Sequence, residues 1–344
     1  MSRLTIEEFY WSNSKSKLFN SNFFTYGENP FVLGLSVFSH DTSAALVSEL
    51  TREVIFAQSE ERNSNIKHDS GFPIQAILNS IPFLQENEGF ISKIALNFNP
   101  WIYVSKGIVP ELKSAGCSDT YLEDESEFQN IKFTKEVLSV KVPMEVLLKR
   151  ISNIEDSELK LNTLRKCEWY LLNFRRYQML KDIIVQIFTD IPVIAVDHHL
   201  SHASSVRFGF KKELLTTTLV LDGHGEVATS SIYDDQLKLK SSTNWPISLG
   251  SFYLSGTRYL GFDYGDEYKV MGMAASGVPR FGKYLSNIFE IDTNTGKMKV
   301  QDNDLYIKEY VGRTGQVRYN FSENFGKILA KRNSNQDFKQ ERDN

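Results

Sequence analysis

One pattern occurs twice in this chain, and it narrows the folds open to it. An apolar run ends in a short turn of acidic and small residues, and a second apolar run follows at once. The first copy is LGLSVFSHDTSAALV (33–47) and the second is LVLDGHGEVATSSIY (219–233). Short apolar runs bounded by turn residues read as buried strands, and two so closely joined read as a hairpin. A third strand-like run follows each copy, VIFAQSE (54–60) and QLKLKSST (236–243). FPIQAILNSI (72–81) then has helical spacing with Pro early in its first turn, and ISKIALNF (91–98) and IPVIAV (191–196) read as further strands. Strands alternating with helices predict an α/β protein. The repeated opening predicts two related lobes facing a cleft. The likeness is one of plan, since few residues are identical between the copies.

The expected organisation follows. Residues 1–30 are a polar lead-in. Residues 31–215 form the first lobe, with a helical insert at about 105–190 carried by VPMEVLLKRISNI and CEWYLLNFRRYQMLKDIIVQIF. Residues 216–344 start the second lobe. After about 283 the chain turns polar: FEIDTNTGKMKVQDNDLY reads as a hairpin insert, and KRNSNQDFKQERDN carries no apolar element.

With a net charge of −4, nothing argues for a general affinity for nucleic acid or an anionic membrane. No apolar run approaches the roughly 18–20 residues needed to span a bilayer, and the N-terminus lacks the apolar core of a secretory signal. Cys117 and Cys167 are too few for a disulfide framework and lack zinc-type spacing. A reducing cytoplasm is the expected compartment.

Three of the six histidines fall within DHHLSHASS (197–205). If a helix starts near Asp197, His198 and His202 stand four apart on one face, about 5–6 Å between Cβ atoms. Both imidazoles then reach one ion at about 2.0–2.2 Å. A bare HxxxH is equally a solvated or capping cluster, so a third ligand matters. Asp222, at the end of the strand TLVLD, is the candidate; two histidines and a carboxylate suit iron, manganese or zinc. Alone, Asp222 is also an ordinary turn residue before glycine.

Four further stretches carry chemistry. Gly223 and Gly225 permit positive φ and would bring backbone N–H groups to an oxyanion, or simply make a hairpin turn. In HDTSAAL (40–46), His40 is a candidate base, and Thr42 and Ser43 cradle phosphate or merely bond the backbone. In EERNSNIKHD (60–69), Lys67 would neutralise a phosphate or carboxylate; a solvated charged loop reads the same. In DEYKVMGMAASG (266–277), Asp266, Glu267 and Lys269 open a helix whose N-terminus would face a nucleotide, or is capped in the ordinary way.

The order and spacing of VLGLSVFSHDTSAAL, EERNSNIKHD, DHHLSHASS, LVLDGHGE, SLGSFYLSGTRYLGF and DEYKVMGMAASG resemble the N-terminal catalytic domain of the NodU/CmcH-type O-carbamoyltransferases. The resemblance covers roughly residues 31–280. It implies an actin-like fold of duplicated ribonuclease-H-like lobes, also found in threonylcarbamoyl-transferring tRNA modification proteins. It implies transfer of a carbamoyl group from carbamoyladenylate, made from carbamoyl phosphate and ATP in a separate C-terminal domain, to a hydroxyl of a small-molecule acceptor such as a sugar or secondary metabolite. It assigns His198, His202 and Asp222 to an iron ion (Fe2+) or another divalent metal. It places His40 and Asp41 at the acceptor, with His40 as base, and Lys67 at both substrate and carbamoyladenylate. Gly223, Gly225 and Lys269 are expected on the nucleotide side.

The chain also departs from the family pattern. Asn63 and Asn65 replace an aromatic residue and an arginine, Tyr268 replaces a glycine, and Ala275–Ser276 replaces Pro–Tyr. The family continues past residue 344, where it supplies a further aspartate ligand and the adenylate-forming domain. A truncated or split form with an incomplete second lobe is therefore expected, inactive without a separate C-terminal carbamoyladenylate-forming polypeptide. A non-catalytic remnant or binding module of the same fold is the alternative reading, and another actin-like phosphotransferase a third.

Overall fold

The computed structural model describes residues 24, 27–37, 40–117, 147–188, 191–209, 217–279, 282–301, 304–311, 316–325 and 327. Most of the expected lead-in, the middle of the helical insert and the polar tail lie outside the described residues. The described chain is a mixed α/β protein that separates into two compact units. One takes the described residues up to Pro110 together with Tyr170–Ser201; the other takes Glu111–Cys117, Leu147–Trp169 and the described residues from His202 onward.

The first unit opens with β1 (Asn29–Ser36), β2 (Ser43–Ser48) and β3 (Val54–Ser59), followed by α1 (Glu61–Ser64), α2 (Ile74–Glu86) and β4 (Gly89–Leu96). A π-helical turn (Tyr103–Ile108) comes next; α3 (Val109–Ser114) and the 31-residue α4 (Ser157–Ile187) each have residues in both units, and β5 (Val193–Ala195) belongs to the first. The strands form one sheet in the order β3-β2-β1-β4-β5. β1, β2 and β3 are an antiparallel meander, whereas β4 runs parallel to β1 and β5 parallel to β4. The period-2 pattern of β1 buries Phe31, Leu33 and Leu35 on one face. They join Leu46, Ile77, Ile94 and Ile184 in a continuous core. Full burial of each such side chain stabilises the unit by about 1.5–3 kcal/mol.

α2 outruns its sequence expectation, continuing to Glu86. Its start is held from outside: the nearly buried Glu60 carboxylate accepts the N–H groups of Gln75 (3.2 Å) and Ala76 (2.9 Å). Two of the donors every helix start leaves unpaired are thereby satisfied.

After α5 (His198–Gly209), the second unit begins its own meander. β6 (Thr217–Leu221), β7 (Ala228–Asp234) and β8 (Leu239–Asn244) form an antiparallel sheet in that order. The opening plan of the first unit thus recurs. α6 (Leu249–Tyr259), α7 (Glu267–Ala274) and α8 (Gly282–Leu285) follow. The expected hairpin is present as β9 (Phe289–Ile291) and β10 (Met298–Val300). A second hairpin, β11 (Tyr306–Val311) and β12 (Gln316–Phe321), was not among the sequence expectations. It is held by rings: Phe252 of α6 lies 5.2 Å, centroid to centroid, from both Tyr306 and Phe321. Among the described residues no helix is long and apolar enough to cross a membrane.

Candidate active site

α5 starts where the sequence places it. Asp197 caps it, its Oδ1 accepting the Leu200 N–H at 3.1 Å while Oδ2 pairs with Lys106 at 3.2 Å. One uninterrupted helix therefore carries His198 and His202 one turn apart. His198 donates through Nδ1 to the Asn97 carbonyl at 3.2 Å, which leaves Nε2 as its acceptor nitrogen. His199 is buried instead.

Asp222 follows β6 in the Asp–Gly turn. Its N–H donates to the Thr229 carbonyl at 2.9 Å, and its Oδ1 accepts the Gly223 N–H at 2.6 Å. The start of α6 clamps this turn. Ser248 caps α6 by accepting the Ser251 N–H at 3.0 Å, and its hydroxyl donates to Gly223 O at 2.7 Å. A Cβ on Gly250 would lie 2.5 Å from Gly223 Cα, so only glycine allows the approach.

The clamp leaves Asp222 Oδ2 3.8 Å from His202 Nε2. Donors sharing one ion at 2.0–2.2 Å stand roughly 3.0–3.5 Å apart. The 3.8 Å pair is too long for a hydrogen bond and a few tenths of an ångström from that range. His202 and Asp222 therefore fit a divalent cation.

A second histidine–aspartate group belongs to the first unit. Asp41 receives an imidazole on each carboxylate oxygen: His40 Nδ1 is 2.6 Å from Oδ2 and His68 Nδ1 is 3.1 Å from Oδ1. Burial raises the Asp41 pKa, but the hydrogen bonds and charges of both histidines outweigh it and hold the carboxyl below its ordinary value. The side chains stay accessible, 61% exposed for His40, 45% for Asp41 and 41% for His68.

Thr42 brings the two stretches together. It is fully buried, and both its N–H (3.0 Å) and its hydroxyl (3.2 Å) donate to the Asp69 carbonyl. The backbone takes left-handed φ on either side of this junction, 62° at Asp41 and 55° at His68. Aspartate and histidine tolerate that region better than most residues. His68 escaped the sequence reading, although it stands in the quoted EERNSNIKHD.

The remaining candidates divide. The Thr42 hydroxyl is committed to Asp69 and does not offer itself to phosphate. The Gly223 and Gly225 amides bond Asp222 Oδ1 and the Ala228 carbonyl, and neither glycine is among the described residues with positive φ. What Gly223 supplies is the flat surface on which Gly250 rests. Lys67 is exposed on the loop beside His68. Lys269 pairs with Asp266 at 2.7 Å in the first turn of α7. Asn65 has a structural reason to replace arginine: it ends α1 with φ 56°, a left-handed cap that asparagine accepts readily. Burial first, then the nearby Glu111 and Cys117, pushes the Cys167 thiol up to about 12, which makes it a poor nucleophile.

A model of the family described as carbamoyltransferase N-terminus matches residues 31–340, most of the chain. The chain belongs to that family. Among similar proteins, the uncharacterized protein sll1178 of Synechocystis sp. is 28% identical over 270 residues, covering 76% of this chain and 37% of that protein. The nodulation protein NolNO of Sinorhizobium fredii is 36% identical over 110 residues, 29% of this chain and 16% of the relative. The nodulation protein NolO of Bradyrhizobium diazoefficiens is 33% identical over 102 residues, 28% and 18% respectively. The chain thus spans well under half the length of these curated relatives. Every motif quoted from the sequence falls inside the family match.

Proposed function

We propose that this chain carries the site at which a carbamoyl group passes from carbamoyladenylate to a hydroxyl of a small-molecule acceptor. The observation that carries the reading is the His202–Asp222 pair, too far apart to hydrogen-bond and within a few tenths of an ångström of cation-sharing distance, in a chain of the carbamoyltransferase N-terminus family. His198, His202 and Asp222 hold a divalent cation, with iron first by the resemblance and manganese or zinc chemically allowed. When bound, the cation supplies positive charge where the leaving phosphate and the carbamoyl oxygen gain negative charge. The recurring three-strand meander supports two ribonuclease-H-type openings of an actin-like fold.

The chain's own residues do the rest. His40 accepts the acceptor's hydroxyl proton at its ring nitrogen. The acceptor oxygen bonds to the carbamoyl carbon, the bond from that carbon to the phosphate oxygen breaks, and AMP leaves with the electron pair. Asp41 orients His40. Lys67 neutralises the leaving phosphate, and Lys269, Gly223 and Gly225 line the nucleotide side. The acceptor is a hydroxylated small molecule such as a sugar or secondary metabolite, and the compartment is the cytoplasm.

The resemblance assigns donor synthesis from carbamoyl phosphate and ATP to a separate domain, so the test supplies the donor ready-made. The purified chain, loaded with Fe2+ under anaerobic conditions, is given carbamoyladenylate and a panel of monosaccharides. One cation per chain and release of AMP with formation of a sugar carbamate are expected. Failure to bind any divalent cation, or equal AMP release by His202→Ala, overturns the reading.

A further inference from the structure

We propose that His68 is a positioning residue: acting through Asp41, it holds His40 in the tautomer protonated at Nδ1, so that Nε2 is the basic nitrogen offered to the acceptor. This rests on the carbamoyl-transfer reading only for what Nε2 then does.

The geometry decides between two uses of the group. Two histidines and an aspartate could bind a second cation. Yet His40 Nδ1 and Asp41 Oδ2 are 2.6 Å apart, closer than the roughly 3.0 Å minimum for two donors on one ion with bonds near 2.1 Å. The distance instead fits a short charge-assisted hydrogen bond. An ionised carboxylate only accepts, so each neutral imidazole must put its proton on Nδ1 and keep its lone pair on Nε2.

Asp41 is an exposed side chain on a turn, and one bond to His40 leaves it free to rotate. The bond from His68 to the second oxygen fixes the carboxylate plane. His68 is fixed in turn, since its N–H donates to Glu61 Oε2 at 3.1 Å and the next residue, Asp69, is bonded by Thr42. The left-handed backbone at Asp41 and His68 marks the conformation this arrangement demands.

Left-handed φ also dictates the variants. Glycine at position 68 keeps the backbone and removes the donor. Asparagine keeps the backbone, and its amide Nδ2 replaces Nδ1 as a donor to the carboxylate. The full chain is labelled with 15N-histidine, and the tautomers are read from long-range 1H–15N correlations at pH 8.5, above the ordinary imidazole range. His40→Gln assigns the His40 signals.

In the parent chain His40 is expected as a single Nδ1–H form. His68→Gly is expected to shift it to a mixture of tautomers and to slow diethylpyrocarbonate modification of His40, read by peptide mass, about 5-fold. His68→Asn is expected to restore both. A purely structural role for His68 would not give rescue by asparagine with the glycine variant folded. An unchanged Nδ1–H form in His68→Gly overturns the proposal, whether or not carbamate is formed. If the tautomer follows residue 68 while no variant transfers carbamoyl, the positioning stands and the transfer reading falls.

Discussion

Two groups of two histidines and one aspartate differ in spacing by about an ångström, and that difference sets what each can hold. Around Asp41 the imidazoles close to 2.6 and 3.1 Å, and the bonds are made by protons. At Asp222 the His202 imidazole stays 3.8 Å away, which leaves room for a cation. The cause lies in the backbone. His40 and His68 stand on loops that bend through left-handed residues until the rings meet the carboxylate. His198 and His202 stand on a regular helix whose pitch fixes their separation. Asp222 is held by a turn clamped under α6 and cannot swing in to close the gap.

The sharpest way to break this comparison is to remove one side chain at a time. Asp222→Ala and His202→Ala should each weaken Fe2+ or Zn2+ binding by more than roughly 100-fold, beyond the usual effect of losing an outer hydrogen-bond partner. Asp41→Ala should leave metal stoichiometry unchanged. Elemental analysis after dialysis against a weak chelator reads both. Loss of metal in Asp41→Ala would show that the short distances do not exclude a cation, and the contrast would collapse.

The two groups were not equally legible in the sequence. Asp197, His198 and His202 are local: a capping residue and an i,i+4 spacing are readable without knowing the fold, and α5 starts as they require. β1 and β2 were readable for the same reason, since period-2 burial is a property of neighbours. The meeting of His68 with Asp41 depends on Thr42 bonding Asp69 across 27 residues, and no local pattern encodes that. The need for glycine at 250 is equally hidden, because the atom that forbids a side chain belongs to Gly223. The β11–β12 hairpin had a signal, two runs rich in aromatic and β-branched residues flanking Gly–Arg–Thr–Gly, but interspersed charges masked its alternation. Asn65 was a departure from a family pattern in the sequence and a left-handed helix cap in the fold.

Two smaller tests probe the rigid side. Gly250→Ala forces a Cβ into Gly223 and should lift the Asp222 turn. A cost of about 1–3 kcal/mol is expected from urea unfolding, with metal binding weakened roughly 10-fold. Unchanged metal affinity would mean that the clamp does not position Asp222. Asp197→Ala removes the cap of α5 and should cost about 0.5–2 kcal/mol, while Asp197→Asn keeps most of the cap and loses the Lys106 pair. If the alanine variant is no less stable than the asparagine variant, the helix start is set by something other than its cap.

The smallest effect is expected on the adaptable side, and its sign is fixed. The Asp41 carboxyl is held below its ordinary value of 3.8 in the folded chain. A group with a lowered folded pKa contributes stability above its unfolded pKa and loses that contribution as pH falls through the folded one. The window therefore opens near pH 3.8 and extends downward. Because the pair is exposed, solvent screens it and the contribution stays below about 1 kcal/mol. Asp41→Asn should melt slightly below the parent at pH 6, and the two curves should converge as pH falls under 3.8. The test is a series of thermal melts from pH 6 to pH 3. A difference that grows with acid would mean that Asp41 gains more from its proton than from its two imidazoles.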